Sequence, residues 1–392
     1  MKNFKYYTPT KVIFGKDTET QVGDLIEAQQ CKKVLVHFGG SSAKKSGLLD
    51  KVLDSLTKVG IDYVSLGGVV PNPRLSKVYE GIELCKKESV DFILAIGGGS
   101  VIDSAKAIGY GMTNDCDVWD LYDGKAEPTG CLPIGVILTI AAAGSEMSNS
   151  SVITNDDGWL KRPCNTDYAR CKFAIMNPEL TFTLPQYQTQ SGCTDILMHT
   201  MERYFTTEKT MELTDGISES LMKTVLRNAK ILMNEPEDYN ARAEIMWAGS
   251  LSHNDLTGCG SVGDFACHQL EHELGGMFDV AHGAGLAAVW GSWARYVYKT
   301  DVSRFAQFAV NVLGVPNNFD DQEKVALEGI EAMEDFYRLT GMPVSIHELG
   351  IDVTSDQIHE LAYKCSFENT RTIGNFKTLN MEDMENIFTK AL

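Results

Sequence analysis

Residues 92–107 read FILAIGGGSVIDSAKA, and this stretch decides the fold of the first half of the chain. Its beginning, Phe92–Ile96, is an uninterrupted apolar run, which is typical of a strand buried on both faces. The glycines that follow end the run, and a helical pattern then continues to about Tyr110. A strand, a glycine turn and a helix in this order form one half of a β–α–β unit.

The same alternation of strand and helix recurs on both sides of this stretch. Apolar strand patterns lie at residues 34–38, 61–66, 92–96 and 132–139, and helical patterns lie between them at 48–59 and 78–85. Strands that alternate with helices predict an α/β domain with a mostly parallel, doubly wound sheet. Residues 150–178 then predict a hairpin with its turn at Asn155–Gly158, followed by a returning strand at Phe173–Met176.

From about Leu184 onward the strand patterns disappear and long helical patterns dominate. We place the boundary at Pro185, because proline is well tolerated in the first turn of a helix. The sequence therefore predicts an α/β domain over residues 1–184 and an all-α domain over residues 185–392.

The composition narrows the class of protein. Of 392 residues, 43% are hydrophobic and 22% are charged, which is ordinary globular usage and excludes a disordered or fibrous chain. Lys and Arg total 35 against 53 Asp and Glu, a formal net charge of −18. Because so acidic a surface repels phosphates and anionic lipid, we expect neither nucleic acid nor a membrane as a partner.

The cysteines and the apolar segments indicate a cytoplasmic location. The ten cysteines include no CxxC pair, which argues against a zinc knuckle, and a chain of this length needs no disulfides for its stability. The first residues show no apolar core of a secretory signal. The apolar run Leu132–Gly144 is too short to span a bilayer, which takes about 20 residues.

Glycines follow two of the predicted strands. Gly97–Ser100 stands where a strand ends and a helix begins, and Gly39–Gly40 follows the first predicted strand. Glycine lets backbone N–H groups approach a diphosphate at a helix N-terminus, and ligands of doubly wound sheets bind at this edge. The run lacks the GxGxxG spacing, and a tight turn that binds nothing explains it equally well. Two such loops at one edge nevertheless favour a dinucleotide site.

Five of the eight histidines fall within 84 positions of the helical half, at 199, 253, 268, 272 and 282. Asp195 and His199 are spaced i,i+4, as are His268 and His272, so each pair projects from one helix face. One carboxylate with several imidazoles is a set of ligands that suits a borderline divalent cation. The spacing alone leaves open whether His268 or His272 is the ligand.

These segments resemble the iron-containing (group III) alcohol dehydrogenases, and more specifically their NADPH-dependent butanol dehydrogenase branch. The matching segments are PNP at 71–73, GGGSVIDSAKA at 97–107, GSEM at 144–147, NPELTFTLPQYQTQSGCTDILMHTMERY at 177–204, AGSLSHNDLTG at 248–258, HQLEHELGG at 268–276 and DVAHGAG at 279–285. The resemblance spans nearly the whole chain. It implies the dehydroquinate synthase-like fold of that family, with a dinucleotide-binding first domain, a metal-binding and catalytic second domain, and a homodimer.

The resemblance also implies roles for individual residues. The implied metal ligands are Asp195, His199, His268 and His282, with iron(II) as the metal and zinc as a possible replacement. His272 would lie beside the nicotinamide and the substrate as the catalytic proton donor. His253 and Asp264 could line the same pocket, with helix packing the favoured role for His253.

For the cofactor, the resemblance implies a set of contacts in the first domain. Gly98, Gly99, Ser100 and Asp103 would line the diphosphate and the nicotinamide ribose, with Asn72, Thr139, Ser148 and Lys161 nearby. The chain departs from the family at Ala141, Ala143 and Ser148, where the family usually has other residues and, at 143, a threonine.

The residue that ends the first predicted strand should lie beside the adenine ribose. NAD-specific relatives commonly have an aspartate there, whereas this chain has Gly39, followed by Gly40 and Ser41. Backbone N–H groups and the Ser41 hydroxyl could bind a 2′-phosphate, with Lys44 or Lys45 adding positive charge. We therefore expect NADP(H) to be preferred, with NAD(H) possible.

The predicted activity is hydride transfer between NAD(P)H and a primary alcohol or aldehyde such as butanol or butanal. A polyol enzyme like glycerol dehydrogenase is an alternative, but such enzymes lack the butanol dehydrogenase-type motifs that this sequence contains. A metal-dependent lyase like dehydroquinate synthase would need clustered Lys and Arg, and residues 184–290 are poor in such clusters. A non-catalytic nucleotide-binding module would leave the acidic and histidine residues of the helical half unexplained.

Overall fold

The computed structural model describes all 392 residues, Met1–Leu392. Its backbone divides into two compact units, one of Tyr7–Leu184 and one of Pro185–Leu392 together with Met1–Tyr6. The first unit is α/β and the second is helical, so the predicted fold class is confirmed. None of the helices is both long and apolar enough to cross a membrane.

The placement of the first residues differs from the prediction, which assigned residues 1–6 to the α/β domain. The amide of Lys2 donates to the carbonyl of Gly260 at 2.8 Å. The amino terminus donates to Thr210 Oγ1 at 2.7 Å. Because these bonds tie the segment to helical-unit residues, Met1–Tyr6 belongs with that unit.

The α/β unit contains all the strands of the protein. They are β1 (Lys11–Phe14), β2 (Lys33–Phe38), β3 (Asp62–Leu66), β4 (Phe92–Gly97), β5 (Ile134–Leu138), β6 (Ser150–Asn155), β7 (Leu160–Asn165) and β8 (Phe173–Met176). Its helices are α1 (Val22–Glu27), α2 (Ser42–Lys45), α3 (Leu48–Lys58), α4 (Leu75–Glu88), α5 (Gly99–Gly111) and α6 (Val118–Tyr122).

Six strands form one sheet in the order β1-β8-β5-β4-β2-β3, and every neighbouring pair is parallel. The central strands β4, β5 and β8 are buried along their whole length. Continuous apolar runs of this kind are expected where helices cover both faces of a parallel sheet. The register pairs Ile93 with Ile134 and Gly97 with Leu138, so β4 and β5 end at the same level.

One strand was missed by the sequence analysis. Lys11–Phe14 forms β1 at the edge of the sheet, beside β8. It is short, it carries a lysine, and both of its end residues are exposed, so its apolar pattern is weak. The strand at 34–38 is therefore the second in the chain, and Gly39–Gly40 follows β2.

The predicted hairpin is confirmed as the antiparallel pair β6 and β7. It lies outside the main sheet and packs against α5. A parallel bridge between Arg74 and Thr154 joins β6 to the segment that precedes α4. The hairpin therefore extends the surface beside the loops that follow β3 and β4.

The helical unit has nine α-helices. They are α7 (Gln186–Tyr204), α8 (Glu212–Asn234), α9 (Tyr239–His253), α10 (Ala266–Phe278), α11 (His282–Val297), α12 (Val302–Asn311), α13 (Gln322–Leu339), α14 (Ser355–Cys365) and α15 (Met381–Lys390). Every residue of α7 from Thr189 to Tyr204 is buried, which makes α7 the central helix. The start of α11 contacts it so closely that a Cβ on Gly283 would lie 2.0 Å from the Ser191 carbonyl oxygen.

Candidate metal centre and nucleotide edge

Three helices of the second unit bring the predicted metal ligands together. Asp195 and His199 lie one turn apart on α7, His268 lies in the first turn of α10, and His282 begins α11. Asp195, His199 and His268 are buried, and the side chain of His282 is 27% exposed. The central position of α7 therefore places a carboxylate inside the unit, with imidazoles converging on it.

The distances around the Asp195 carboxylate define the cluster. The ligand atoms of Asp195, His268 and His282 all lie within 4.8 Å of one another. His268 Nε2 is 3.6 Å and His282 Nε2 is 3.7 Å from Asp195 Oδ1. His199 is not part of this three-residue set, but its Nδ1 lies 3.2 Å from the same oxygen.

Several of these atoms have no hydrogen-bond partner although they are buried. They are Asp195 Oδ1, His199 Nδ1 and His268 Nε2. A buried polar atom left without a partner costs about 1–3 kcal/mol, so a group of them at one point calls for a ligand. Oxygen and nitrogen donors that face a common point suit a divalent cation such as iron(II) or zinc, and the residues therefore fit a metal.

The geometry distinguishes His268 from His272, which the spacing could not do. His268 contributes to the three-residue set, whereas His272 does not. The ring centroid of His272 lies 6.5 Å from that of His268 and 6.1 Å from that of His282. His272 is thus beside the cluster, one turn along α10.

Two buried glutamates behind the imidazoles were missed by the sequence analysis. Glu202 contacts His268 Nδ1, and Glu271 contacts His282 Nδ1. Both glutamates are fully buried. The available signal was helical spacing, because Glu202 stands three residues after His199 and Glu271 three residues after His268. Carboxylates in this position orient metal-binding imidazoles.

The pKa values of two imidazoles shift in opposite directions. Burial lowers the pKa of His199 well below its ordinary value, and the nearby His253 and His268 lower it further. Burial acts in the same direction on His268, but the carboxylates of Glu202 and Asp195 outweigh it and raise that pKa to about 9. His199 is therefore neutral, and a metal that binds His268 displaces a proton.

His253 lies against the cluster rather than apart from it. Its ring centroid is 3.9 Å from that of His199, and its Nδ1 is 3.0 Å from the Arg203 guanidinium. Asp264 instead holds a loop, since its Oδ1 accepts the amides of Asn375 and Phe376 at 2.7 and 2.6 Å. Burial raises the pKa of Asp264 to about 6.

The predicted cofactor residues of the α/β unit follow four neighbouring strands. Thr139 follows β5, Gly98, Gly99 and Ser100 follow β4, Gly39, Gly40 and Ser41 follow β2, and Asn72 lies in the loop after β3. Because these strands are parallel neighbours, their carboxyl ends meet at one edge of the sheet. Lys161 is buried on β7 of the hairpin. This nucleotide edge also includes the N-terminus of α5.

Close packing explains two glycines at this edge independently of any ligand. A Cβ on Gly98 would lie 2.8 Å from the Cβ of Ile140, and a Cβ on Gly99 would lie 2.9 Å from the Cβ of Ala143. The loop after β5 therefore rests directly on the turn before α5. These glycines were predicted for their access to a diphosphate, and the structure shows a second reason for them.

Asp103 and Ser148 have partners within the unit. The two Asp103 carboxylate oxygens accept from Ser145 Oγ at 2.5 Å and from the Val152 amide at 2.9 Å. Ser148 Oγ accepts from the Ser150 amide at 3.2 Å. Both residues were predicted as cofactor contacts. Asp103 fastens the segment 145–152 to α5, whereas the Ser148 bond lies within that segment.

A buried lysine that the sequence analysis missed completes this fastening. Lys106 on α5 is fully buried. Its Nζ donates to the carbonyls of Ser145, Ser148 and Ser150 at 2.7, 3.0 and 2.7 Å. Arg170 adds a bond to the Met147 carbonyl at 2.9 Å. The segment therefore has its shape before any cofactor arrives.

Comparison with known proteins extends these observations to the whole chain. Residues 9–178 match the family described as iron-containing alcohol dehydrogenase, and residues 189–392 match the C-terminal part of the Fe-containing alcohol dehydrogenase family. The chain is 38% identical over 392 residues to NADH-dependent butanol dehydrogenase A of Clostridium acetobutylicum, with 100% of both chains covered. It is 32% identical over 394 residues to NADPH-dependent aldehyde reductase YqhD of Escherichia coli, again with 100% of both covered.

The same result holds for solved structures. The crystal structure of NADH-dependent butanol dehydrogenase A from Thermotoga maritima matches with a TM-score of 0.96 and 37% identity, covering 100% of this chain and 99% of that one. The family models match both halves of the chain, and the sequence and the fold therefore indicate the same family. The chain belongs to the iron-containing alcohol dehydrogenase family and is an NAD(P)-dependent alcohol dehydrogenase.

Proposed function

We propose that the chain interconverts small aldehydes and primary alcohols, with butanal and butanol as representative substrates, at one metal ion held by Asp195, His199, His268 and His282. The observation that carries this proposal is the set of buried donor atoms around Asp195 Oδ1 that have no hydrogen-bond partner. Bound iron(II), or zinc in its place, supplies a Lewis acid for the substrate oxygen.

His272 is the proposed proton donor for that oxygen. It lies on the same helix as His268, beside the cluster but outside the three-residue set. An imidazole in this position can hold a proton near the reacting atoms without competing for the metal. His272 is therefore a catalytic residue in this proposal and not a ligand.

The nucleotide edge of the α/β unit is the proposed cofactor site. The amides at the start of α5 and the space around Gly39 and Gly40 would bind the phosphates and the adenine ribose. We assign Asp103 and Ser148 a supporting role there, because their polar atoms hold the segment 145–152. Asn72, Thr139 and Lys161 remain candidates for direct contacts.

NADP(H) is the proposed preferred cofactor. Position 39 carries no carboxylate that would repel a 2′-phosphate. A Cβ on Gly40 would meet nothing within 4 Å, and one on Gly39 would meet only ordinary contacts at 3.5 and 3.7 Å. Relatives named for NADH and for NADPH both match the chain, so this chain's own residues carry the assignment.

The test is an assay of butanal reduction with protein purified and reconstituted without oxygen. We expect oxidation of NADPH with kcat/KM above that of NADH, no activity in the metal-free protein, and recovery on addition of iron(II) or zinc. Glycerol and NADP⁺ serve as the control for a polyol enzyme. Activity on glycerol alone, or full activity of the metal-free protein, would contradict the proposal.

The proposal includes a cytoplasmic location and a homodimer. The ten cysteines form no disulfide bond with one another, which suits a reducing compartment. Sedimentation equilibrium of the purified protein tests the dimer, because a chain of 43.2 kDa and its dimer differ twofold in mass.

A further inference from the structure

Glu202 uses both of its carboxylate oxygens at the start of α10. Its Oε1 accepts the backbone amides of Cys267 at 2.7 Å and His268 at 3.2 Å. Its Oε2 contacts the imidazole Nδ1 of His268. The Glu202 side chain is fully buried, so water does not compete for these bonds.

This arrangement dictates where the His268 imidazole carries its proton. A carboxylate only accepts hydrogen bonds, so His268 Nδ1 must donate to Glu202. In the neutral ring, Nε2 then has the lone pair, and Nε2 is the atom that lies 3.6 Å from Asp195 Oδ1. The nitrogen from which a metal displaces a proton is therefore Nε2, the atom that faces Asp195.

We infer that Glu202 is a positioning residue that selects the metal-binding tautomer of His268 and fixes the plane of its ring. The inference rests on the proposed metal site. It assigns to Glu202 a role in metal affinity that it exerts through His268, without touching the metal itself.

The variant Glu202→Gln should reverse the tautomer. Its side-chain oxygen could stay on the amides of Cys267 and His268, and its NH₂ group would then donate to His268 Nδ1. The opposite orientation of the new side chain would leave two buried amides facing a donor, at about 1–3 kcal/mol each. With Nδ1 as acceptor, the proton of the neutral ring moves to Nε2.

The reversed tautomer would make two proposed metal ligands, His268 and Asp195, unavailable to the metal. Its Nε2–H would point toward Asp195 Oδ1 and bond to that oxygen, which is itself a proposed ligand. Glu202→Ala lacks this effect, because the space left by the side chain admits water and allows either tautomer. The glutamine variant, although closer in shape to glutamate, should therefore bind metal more weakly than the alanine variant.

The experiment measures zinc affinity of the full-length protein by competition with a chromophoric chelator. We expect Glu202→Ala to weaken zinc binding about ten- to hundredfold, the usual effect of losing a carboxylate behind a ligand. Glu202→Gln should weaken it further. The matched control is Glu334→Gln, a buried carboxylate on α13 that pairs with Arg295, and it should retain the wild-type affinity.

A role limited to packing predicts the reverse order, with glutamine less harmful than alanine, and that order would overturn the inference. So would wild-type affinity in Glu202→Gln. Thermal unfolding of the metal-free proteins checks that each variant folds. If Glu202→Ala does not fold, ¹⁵N NMR of the imidazoles in Glu202→Gln decides, at a pH where the His268 ring carries one proton. That proton on Nδ1 contradicts the inference, and on Nε2 it supports it.

The proposed metal site and this inference fail in different ways. Absence of stoichiometric zinc in the wild-type protein would refute the proposed metal site. Tight zinc binding by the wild type, with equally tight binding by Glu202→Gln, would refute only the role of Glu202.

Discussion

The proposed metal site of the helical unit and the proposed nucleotide edge of the α/β unit differ in whether their buried polar atoms have hydrogen-bond partners. In the cluster, buried donor atoms of Asp195, His199 and His268 have no hydrogen-bond partner. At the edge, Lys106 Nζ and both carboxylate oxygens of Asp103 form hydrogen bonds to the segment 145–152. The cluster thus has polar atoms that a ligand could satisfy, whereas the polar atoms that hold the segment 145–152 are satisfied within the protein.

The largest effect that would sharpen this comparison is expected at His272. His272→Ala should keep the metal and lower kcat about a hundred- to ten-thousandfold, the usual contribution of general acid–base catalysis. Steady-state kinetics with metal analysis of the same sample measures both. The control is His347→Ala, an exposed histidine. Metal loss in His272→Ala would make His272 a ligand.

A change at Lys106 tests the preformed edge. Lys106→Met removes the donor for three carbonyls and should lower the free energy of unfolding by about 3–5 kcal/mol, the cost of stranding buried polar groups. Urea unfolding measures this, and NADPH binding should weaken while zinc content stays unchanged. The exposed Lys86→Met on α4 is the control. A variant as stable as the wild type would show that the segment 145–152 is held by other contacts.

Both ring nitrogens of His37 have hydrogen-bond partners, whereas the buried Nδ1 of His199 has none. On β2, His37 Nδ1 bonds to the Leu66 carbonyl at 3.0 Å and its Nε2 to Ser104 Oγ at 2.9 Å. Burial lowers its pKa from 6.5 to about 4. The unfolded chain therefore binds more protons between these values, and stability falls as the pH falls through this window.

The expected loss from His37 is about 3 kcal/mol between pH 6.5 and pH 4. Urea unfolding across this range should show a shallower pH dependence in His37→Gln than in the wild type. His347→Gln, an exposed change, should leave the slope unaltered. Parallel curves for wild type and His37→Gln would show that His37 does not set the acid sensitivity.

The smallest effect is expected at Gly39. Gly39→Asp should weaken NADPH about ten- to hundredfold and leave NADH nearly unchanged, because the new carboxylate opposes the 2′-phosphate. The position accepts a side chain without steric conflict. Fluorescence titration with both cofactors measures the change. Equal weakening of both cofactors would argue against a 2′-phosphate site there, and a wild-type preference for NADH would refute the assignment.

The sequence predicted the parts of this molecule that depend on periodicity. The buried runs at β2, β4 and β8 and the i,i+4 pairs of α7 and α10 were visible because apolar spacing and helix geometry are local. The edge strand β1 was not, since its exposed ends and lysine hide the pattern. Residues 1–6 were assigned to the other domain, because their partners Thr210 and Gly260 are remote in sequence.

The missed site residues share a physical reason. Glu202, Glu271 and Lys106 are charged residues on helices, which in a sequence indicate a solvated face. Each is buried because a partner from another segment compensates its charge or polarity. Helical spacing places Glu202 and Glu271 near histidines of their own helices, but it does not reveal partners that come from another segment. By contrast, Gly98 and Gly99 were predicted as site residues, but their packing against Ile140 and Ala143 joins segments remote in sequence and has no local signal.

The metal content of His268→Ala is the most direct test of the central claim. Wild-type protein purified without oxygen and reconstituted with iron(II) or zinc should hold about one metal ion per chain. Circular dichroism checks that His268→Ala is folded. We expect this variant to hold less than about one tenth of the wild-type metal, because it loses a ligand that Asp195 and His282 cannot replace. Full stoichiometric metal in His268→Ala would contradict the proposed site.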